Sequence, residues 1–311
     1  MMIDGQRDLV GYGKSPPHPR WPNDARVAVS FVLNIEEGSE YSIGNGDGFA
    51  EATLTEFDAS YVPRGDRDLA AESMFEYGSR VGMWRVLRLF EKYGLPLTLN
   101  ACAVAVERHE ELAAAIRERS YDICCHGWRW VDHFLLSAEA EREHIAKAIA
   151  SLERSTGRRP LGWCCRTGPS VNTRRLLVEE GGFLYDSDVY NDELPYWINV
   201  NGTHHLTVPY THSNNDSRYA PGPLATSADY ATWHRDAFDW LYQEGADQPK
   251  MMSVGLHSRM IGHPARIAGL DRFLGHIAGH RDVWVCERVE IARHWYKNYP
   301  AAATTRGSAA R

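Results

Sequence analysis

Apolar and polar positions fall into blocks along this chain, and the blocks switch repeatedly between two periods. Val27-Ala-Val-Ser-Phe-Val-Leu33 is a near-continuous apolar run, as expected of a strand covered on both faces. Residues 79–92 carry Val81, Trp84, Leu87, Leu89 and Phe90 at helical spacing, and Gly94 stops the pattern. The alternation continues with strands predicted at 97–105, 121–125, 160–165, 182–186, 205–210, 250–256 and 283–286. Helices are predicted at 106–118, 137–155, 172–181, 228–243, 264–279 and 289–297. Ser137 and Asn172 stand where N-caps belong, and Pro264 where a first helical residue belongs.

Strand–helix alternation of this kind, repeated about seven times, predicts an α/β fold in which helices cover a parallel sheet. A single distorted (β/α) barrel suits the length. An open doubly wound sheet is the alternative, although no G-x-G-x-x-G follows the first strand. Residues 1–25 are rich in Pro and Gly (Ser15-Pro-Pro-His-Pro-Arg-Trp-Pro22) and read as an N-terminal arm. Residues 26–298 form the barrel and 299–311 a disordered tail. Residues 39–77 make a long excursion of weak periodicity, the kind of insertion that serves function or assembly.

Composition narrows the class. With 34 basic against 41 acidic residues and no basic run, a nucleic-acid partner is not expected. No apolar run reaches the roughly 18 residues that span a bilayer, and the first residues lack the apolar segment of a signal peptide. A cytoplasmic protein with a small-molecule substrate and no membrane partner is the expectation. The six cysteines lie in or beside apolar segments without a C-x-x-C spacing, so they read as reduced, buried hydrophobes.

In a barrel the chemistry collects at the C-terminal ends of the strands. Those ends deliver Asn34, Glu36 and Glu37; His126, Trp128, Arg129 and Trp130; Arg166; Asp186 and Asp188; Tyr210, His212 and Asn215; and His257 with Arg259. Each has a bland reading, as strand-end charge, core histidine or turn former. Their convergence is what acid/base hydrolysis requires.

The same strings resemble the polysaccharide deacetylase superfamily. Asn34-Ile-Glu-Glu-Gly38 stands where two aspartates precede a glycine, His126-Gly-Trp-Arg-Trp130 where two histidines are spaced by four, and Trp163-Cys-Cys-Arg166 and Val254-Gly-Leu-His257 match later motifs. Phe75-Glu-Tyr-Gly-Ser-Arg-Val-Gly82, Asn172-Thr-Arg-Arg175, Glu180-Gly-Gly-Phe-Leu-Tyr-Asp-Ser-Asp188 and Leu194-Pro-Tyr-Trp197 narrow the resemblance to the deacetylase-derived bacterial allantoinases. That resemblance implies a NodB-like barrel that opens the hydantoin ring of allantoin without a metal, and a homotetramer. Two stretches depart from it: 220–228, and 164–171, which differs in local length.

The metal expectation has a chemical basis, because the indole of Trp130 has no lone pair to offer an ion. The expected catalytic set is Glu36 as base, His257 as acid, His126 as donor to the oxyanion and Arg166 as a charge-stabilising or orienting group. Glu37, Trp128, Trp130, Asp186, Asp188, Tyr210 and Asn215 are expected to contact substrate. The rival is a zinc-type or other divalent-metal N-deacetylase using Glu37 and His126, completed by His133 or water. The third reading is a non-catalytic ligand-binding barrel.

Overall fold

The computed structural model describes Met2, Ile3 and residues 7–219 and 222–301. Its strands are β1 (Met2–Ile3), β2 (Val27–Ile35), β3 (Thr98–Ala101), β4 (Asp122–Cys125), β5 (Gly162–Trp163), β6 (Tyr185–Asp186), β7 (Tyr196–Val200), β8 (Thr203–Thr207), β9 (Lys250–His257) and β10 (Val283–Val285). Its helices are α1 (Leu69–Tyr77), α2 (Met83–Tyr93), α3 (Ala103–Glu107), α4 (Glu110–Arg119), α5 (Ala138–Thr156), α6 (Thr173–Glu180), α7 (Ser227–Glu244), α8 (Ser258–Ile261), α9 (Pro264–Ala278) and α10 (Arg288–Asn298).

All strands join one sheet in the order β1-β7-β8-β6-β5-β4-β3-β2-β10, with β9 on β2. Every pairing is parallel except β7 with β8. The sheet curls into a partial barrel of the NodB-like type, wrapped by helices.

Side-chain alternation along the strands divides the interior in two. On β2, Val27, Val29, Phe31, Leu33 and Ile35 face outward into the layer shared with the helices. Ala28 faces inward with Cys124, Tyr185, Leu206, Val208 and Met251. The lower barrel is filled by Arg288 from the start of α10. Its guanidinium donates to Ser30 Oγ, Ser253 Oγ, Ser187 Oγ and the carbonyls of Val208 and Pro209. A buried cation is tolerated there because each of those contacts meets an oxygen acceptor.

Several boundaries differ from the sequence expectation. The helix predicted at 79–92 begins ten residues earlier, at Leu69, where Asp68 caps it, and a π-helical turn at Gly78–Gly82 interrupts it. The extra residue in that turn rotates the apolar stripe, so Met83, Val86, Leu87 and Phe90 are buried while Val81 is exposed. The strand predicted at 97–105 stops at Ala101 and turns into α3. β7 was not anticipated; its alternating burial is that of a hairpin partner to β8. Thr226, with Asp229, forms the capping box that starts α7.

The arm packs rather than dangles: Trp21 is buried against Trp284, His294 and Trp295, and Tyr12 donates to the Pro195 carbonyl. Tyr299, assigned to the tail, stacks on Trp295, and residues 302–311 lie outside those described. All six cysteines are free and buried.

Candidate active site

A cavity of about 300 Å³ opens at the C-terminal ends of the strands. Strand register explains which residues reach it. Asn34 on β2 lies level with Asn100 on β3 and His257 on β9, all on the inward face. Two residues beyond Asn34, the same alternation turns Glu36 inward and Glu37 outward. It turns His126 inward after β4 and Arg166 inward after β5. It turns Asp186, at the end of β6, outward.

The cavity is lined by Asn34, Glu36, His126, Trp130, Arg166, Tyr210, Asn215 and His257 from the expected set. Thr53 and Leu54 of the excursion also line it, as do Tyr190 and His212, whose tilted rings lie 4.4 Å apart. Glu37, Trp128, Asp186 and Asp188, expected to contact substrate, do not line it. Glu37 is turned toward Gly78 and α8. Trp128 packs against the helix layer. Asp186 is buried between Arg174 at 2.8 Å and His205 at 3.2 Å. Asp188 accepts from the Cys165 backbone N–H at 2.7 Å.

Glu36 is the centre of the site. Oε1 lies 3.3 Å from His126 Nε2 and 3.7 Å from His257 Nε2, and Oε2 lies 2.7 Å from Arg259 Nη1. Burial alone would push its carboxyl up, but Arg259, His257 and His126 together outweigh burial and hold it well below the usual carboxylate range. Glu36 is therefore an anion across the neutral range.

His257 is set by Asp216. Its Nδ1–H donates to Asp216 Oδ1 at 2.6 Å, and its backbone N–H donates to Oδ2 at 2.7 Å. The Ile261 N–H adds a third bond to this fully buried carboxylate. Burial opposes protonation of His257, yet Asp216 and Glu36 raise it above the ordinary histidine value. The charged form of His257 is thus favoured more than in a free imidazole, and its Nε2 faces the cavity.

His126 behaves differently. Its Nδ1 lies 2.6 Å from the Cys164 carbonyl, which can only accept, so Nδ1 carries the hydrogen. With Nδ1 so committed, Nε2 is the nitrogen turned to Glu36 Oε1, at 3.3 Å. Donation from Nε2, to that carboxylate or to an oxyanion as expected, needs a hydrogen on it and hence the imidazolium form.

A donor is supplied by Tyr210. Asn34 Nδ2 donates to its oxygen at 3.2 Å, and Asn34 is itself oriented by Asn100 at 2.7 Å and the Leu256 carbonyl at 2.9 Å. Burial keeps the phenol protonated. Gly255 admits this arrangement, since a Cβ there would collide with Asn215 Nδ2 and Tyr210 Oη. Arg166, expected to act on charge, lines the cavity; it also pairs with Glu51, donates to the Trp130 carbonyl at 3.0 Å and lies 3.8 Å over the Trp130 ring. It fastens the excursion over the cavity.

The residues present do not fit a divalent ion. Position 130 offers an indole. His133 is buried, with Nδ1 3.3 Å from Glu141, not turned to the cavity. Glu37 faces away, and Glu36 Oε2 already has the Arg259 guanidinium 2.7 Å from it. Among the described residues, the group of three potential ligands that converges is Asp239, His276 and His280, on the surface between α7 and α9.

Two residues of weight were not in the expected site. Asp216 follows the singled-out Asn215 but sits in a one-turn helix that no period marks. Arg259 was placed at the rim without a role.

The fold and this site define a polysaccharide deacetylase-type hydrolase. The polysaccharide deacetylase profile matches residues 66–185. A Schizosaccharomyces pombe protein, described provisionally as a polysaccharide deacetylase, is 39% identical over 96% of this chain and 99% of its own. Two solved structures are similar throughout. One, described provisionally as a polysaccharide deacetylase from Pseudomonas aeruginosa, is 48% identical with a TM-score of 0.91 over 95% of this chain and 99% of its own. The other, PuuE allantoinase, is 48% identical with a TM-score of 0.92 over 96% and 100%. The chain belongs to the polysaccharide deacetylase family and is a hydrolase acting on C–N bonds. Among the described residues no helix is long and apolar enough to cross a membrane.

Proposed function

We propose that this protein is an allantoinase: it opens the hydantoin ring of allantoin to give allantoate, using side chains alone. The observation that carries the reading is the meeting, in one small cavity, of the anionic Glu36 with the Nε2 atoms of His126, at 3.3 Å, and of His257, at 3.7 Å. The full-length similarity to PuuE allantoinase supports it. So does cavity size: about 300 Å³ suits a compact heterocycle, whereas a polysaccharide chain needs an open groove.

A water beside Glu36 Oε1 donates one hydrogen to it. Glu36 takes the proton as the water oxygen attacks a ring carbonyl. The carbonyl oxygen becomes an oxyanion and accepts from Tyr210, a donor of the kind worth a few kcal/mol. The C–N bond then breaks, and His257 passes its Nε2 proton to the departing nitrogen. The product carboxylic acid ionises, and the protons on Glu36 and His257 return to their starting distribution. Trp130 supplies a flat apolar wall for the ring. The homo-oligomeric, tetrameric assembly implied by the resemblance is proposed with this function and is read by light scattering.

The test is an assay of purified protein with allantoin and with an N-acetylated oligosaccharide, each with and without chelator. Turnover of allantoin unaffected by chelator is expected. Chelator-sensitive release of acetate from the oligosaccharide, without ring opening, would establish the deacetylase reading instead.

A further inference from the structure

The cation beside Glu36 belongs to the chain. Arg259 lies on α8, directly after β9, and is 2% exposed. Its Nη1 is 2.7 Å from Glu36 Oε2 and 3.5 Å from Glu37 Oε1, and its Nε donates to the Leu54 carbonyl at 2.8 Å. Its central carbon lies 4.4 Å from the Phe75 ring centroid and 4.9 Å from that of Trp130. Nη2 has no hydrogen-bond partner among the described residues, so on that side the cation is bounded by aromatic faces.

The backbone is built to bring it there. A Cβ at Gly82 or at Gly262 would collide with the Ser258 carbonyl, and one at Gly78 with the Glu37 side chain. The π-helical turn Gly78–Gly82 and α8 therefore approach closely enough to set Arg259 against both carboxylates.

We infer that Arg259 is the resident cation of this site: it takes the electrostatic place of a divalent metal, holds Glu36 as the reacting carboxylate and, with Trp130, excludes a metal ion. The inference rests on the metal-free reading above and names the residue responsible. A guanidinium cannot lose its proton to make room, and a second cation on the same carboxylate would be repelled at short range. Trp130 alone is then an insufficient explanation of metal exclusion, because replacing it leaves the competing charge.

The experiment titrates Zn²⁺ into full-length protein by calorimetry, with His276→Ala in every background so that the surface cluster does not contribute. Wild type and Trp130→His should bind no zinc in the cavity. Trp130→His/Arg259→Met should bind one ion per chain, at least roughly 100-fold more tightly than Trp130→His, and lose it on further His126→Ala. Equal zinc affinity for Trp130→His and the double variant would overturn the inference, as would a folded double variant that binds none, or zinc on wild type removed by His126→Ala. If the double variant does not fold, Arg259→Lys and Arg259→Gln decide: Lys should keep kcat within roughly tenfold and Gln lose on the order of 100-fold with KM little changed. Equal loss in both would overturn it. Zinc uptake is independent of substrate identity, so failure of wild type to open allantoin would sink the proposed reaction and leave the metal arm standing.

Discussion

Glu36 and Asp186 are the same device used twice. Each is a carboxylate about 1% exposed, each faces an arginine (Arg259 at 2.7 Å, Arg174 at 2.8 Å), and each has histidine nearby. In both, burial pushes the carboxyl up and the neighbouring cations bring it down below the usual range. They differ in access. Glu36 Oε1 opens on the cavity, whereas Asp186 ties α6, through Arg174, and β8, through His205, to the sheet. A perturbed acid therefore marks a strong local field, and only its exposure to a space that holds a ligand makes it chemistry.

The sharpest way to break the comparison is to neutralise each acid in turn. Glu36→Gln should lower kcat by roughly 10³-fold or more, with the circular dichroism spectrum unchanged. Near-wild-type turnover of allantoin by that variant would remove Glu36 as the base. Asp186→Asn should do the reverse. It removes the buried charge that Arg174 and His205 face, at a cost of about 3 kcal/mol of folding stability in urea denaturation, while kcat stays within a few-fold of wild type. A stable Asp186→Asn variant with a collapsed kcat would mean that the outward face also serves the reaction.

The distinction was partly legible in the chain. The strand–helix alternation, the inward ends of β2, β4, β8 and β9, and the family all follow from strings visible in the sequence. Treating every strand-end residue as a rim residue was the error, and period two contains the remedy. Counting in twos from Ala28 puts Asn34 and Glu36 inside and Glu37 outside; counting from Cys124 puts His126 inside; counting from Tyr185 puts Asp186 and Asp188 outside. What periodicity could not carry is tertiary. The pairing of Asp216 with His257 joins residues 41 apart. The approach of Arg259 to Glu36 depends on a π-helical turn whose glycines have no apolar signature. The role of Arg166 in fastening Glu51 could be seen only once the excursion had folded over the cavity.

A smaller effect sharpens the mechanism on the open side. Tyr210→Phe removes the proposed oxyanion donor and leaves the ring in place. A kcat reduced by roughly tens-fold with KM nearly constant is expected, since the bond strengthens only as charge develops. Equal changes in kcat/KM and KM, with kcat untouched, would assign Tyr210 to ground-state binding.

The mildest test uses pH and separates the two acids without mutating the site. His257 is raised above its ordinary 6.5 by Asp216 and Glu36 against burial, so kcat/KM should fall as pH rises through that elevated value. Its contribution to stability has the same sign: complete below 6.5 and lost on the alkaline side. Asp186 is lowered from 3.8, so its contribution is complete above 3.8 and is lost as pH falls through the depressed value. The stability gap between wild type and Asp186→Asn should thus be flat across the neutral range and narrow in acid, while the alkaline fall in kcat/KM is the same in both proteins. An alkaline limb displaced by Asp186→Asn would show that the two fields are coupled, contrary to the division of inward and outward faces on which the site assignment depends.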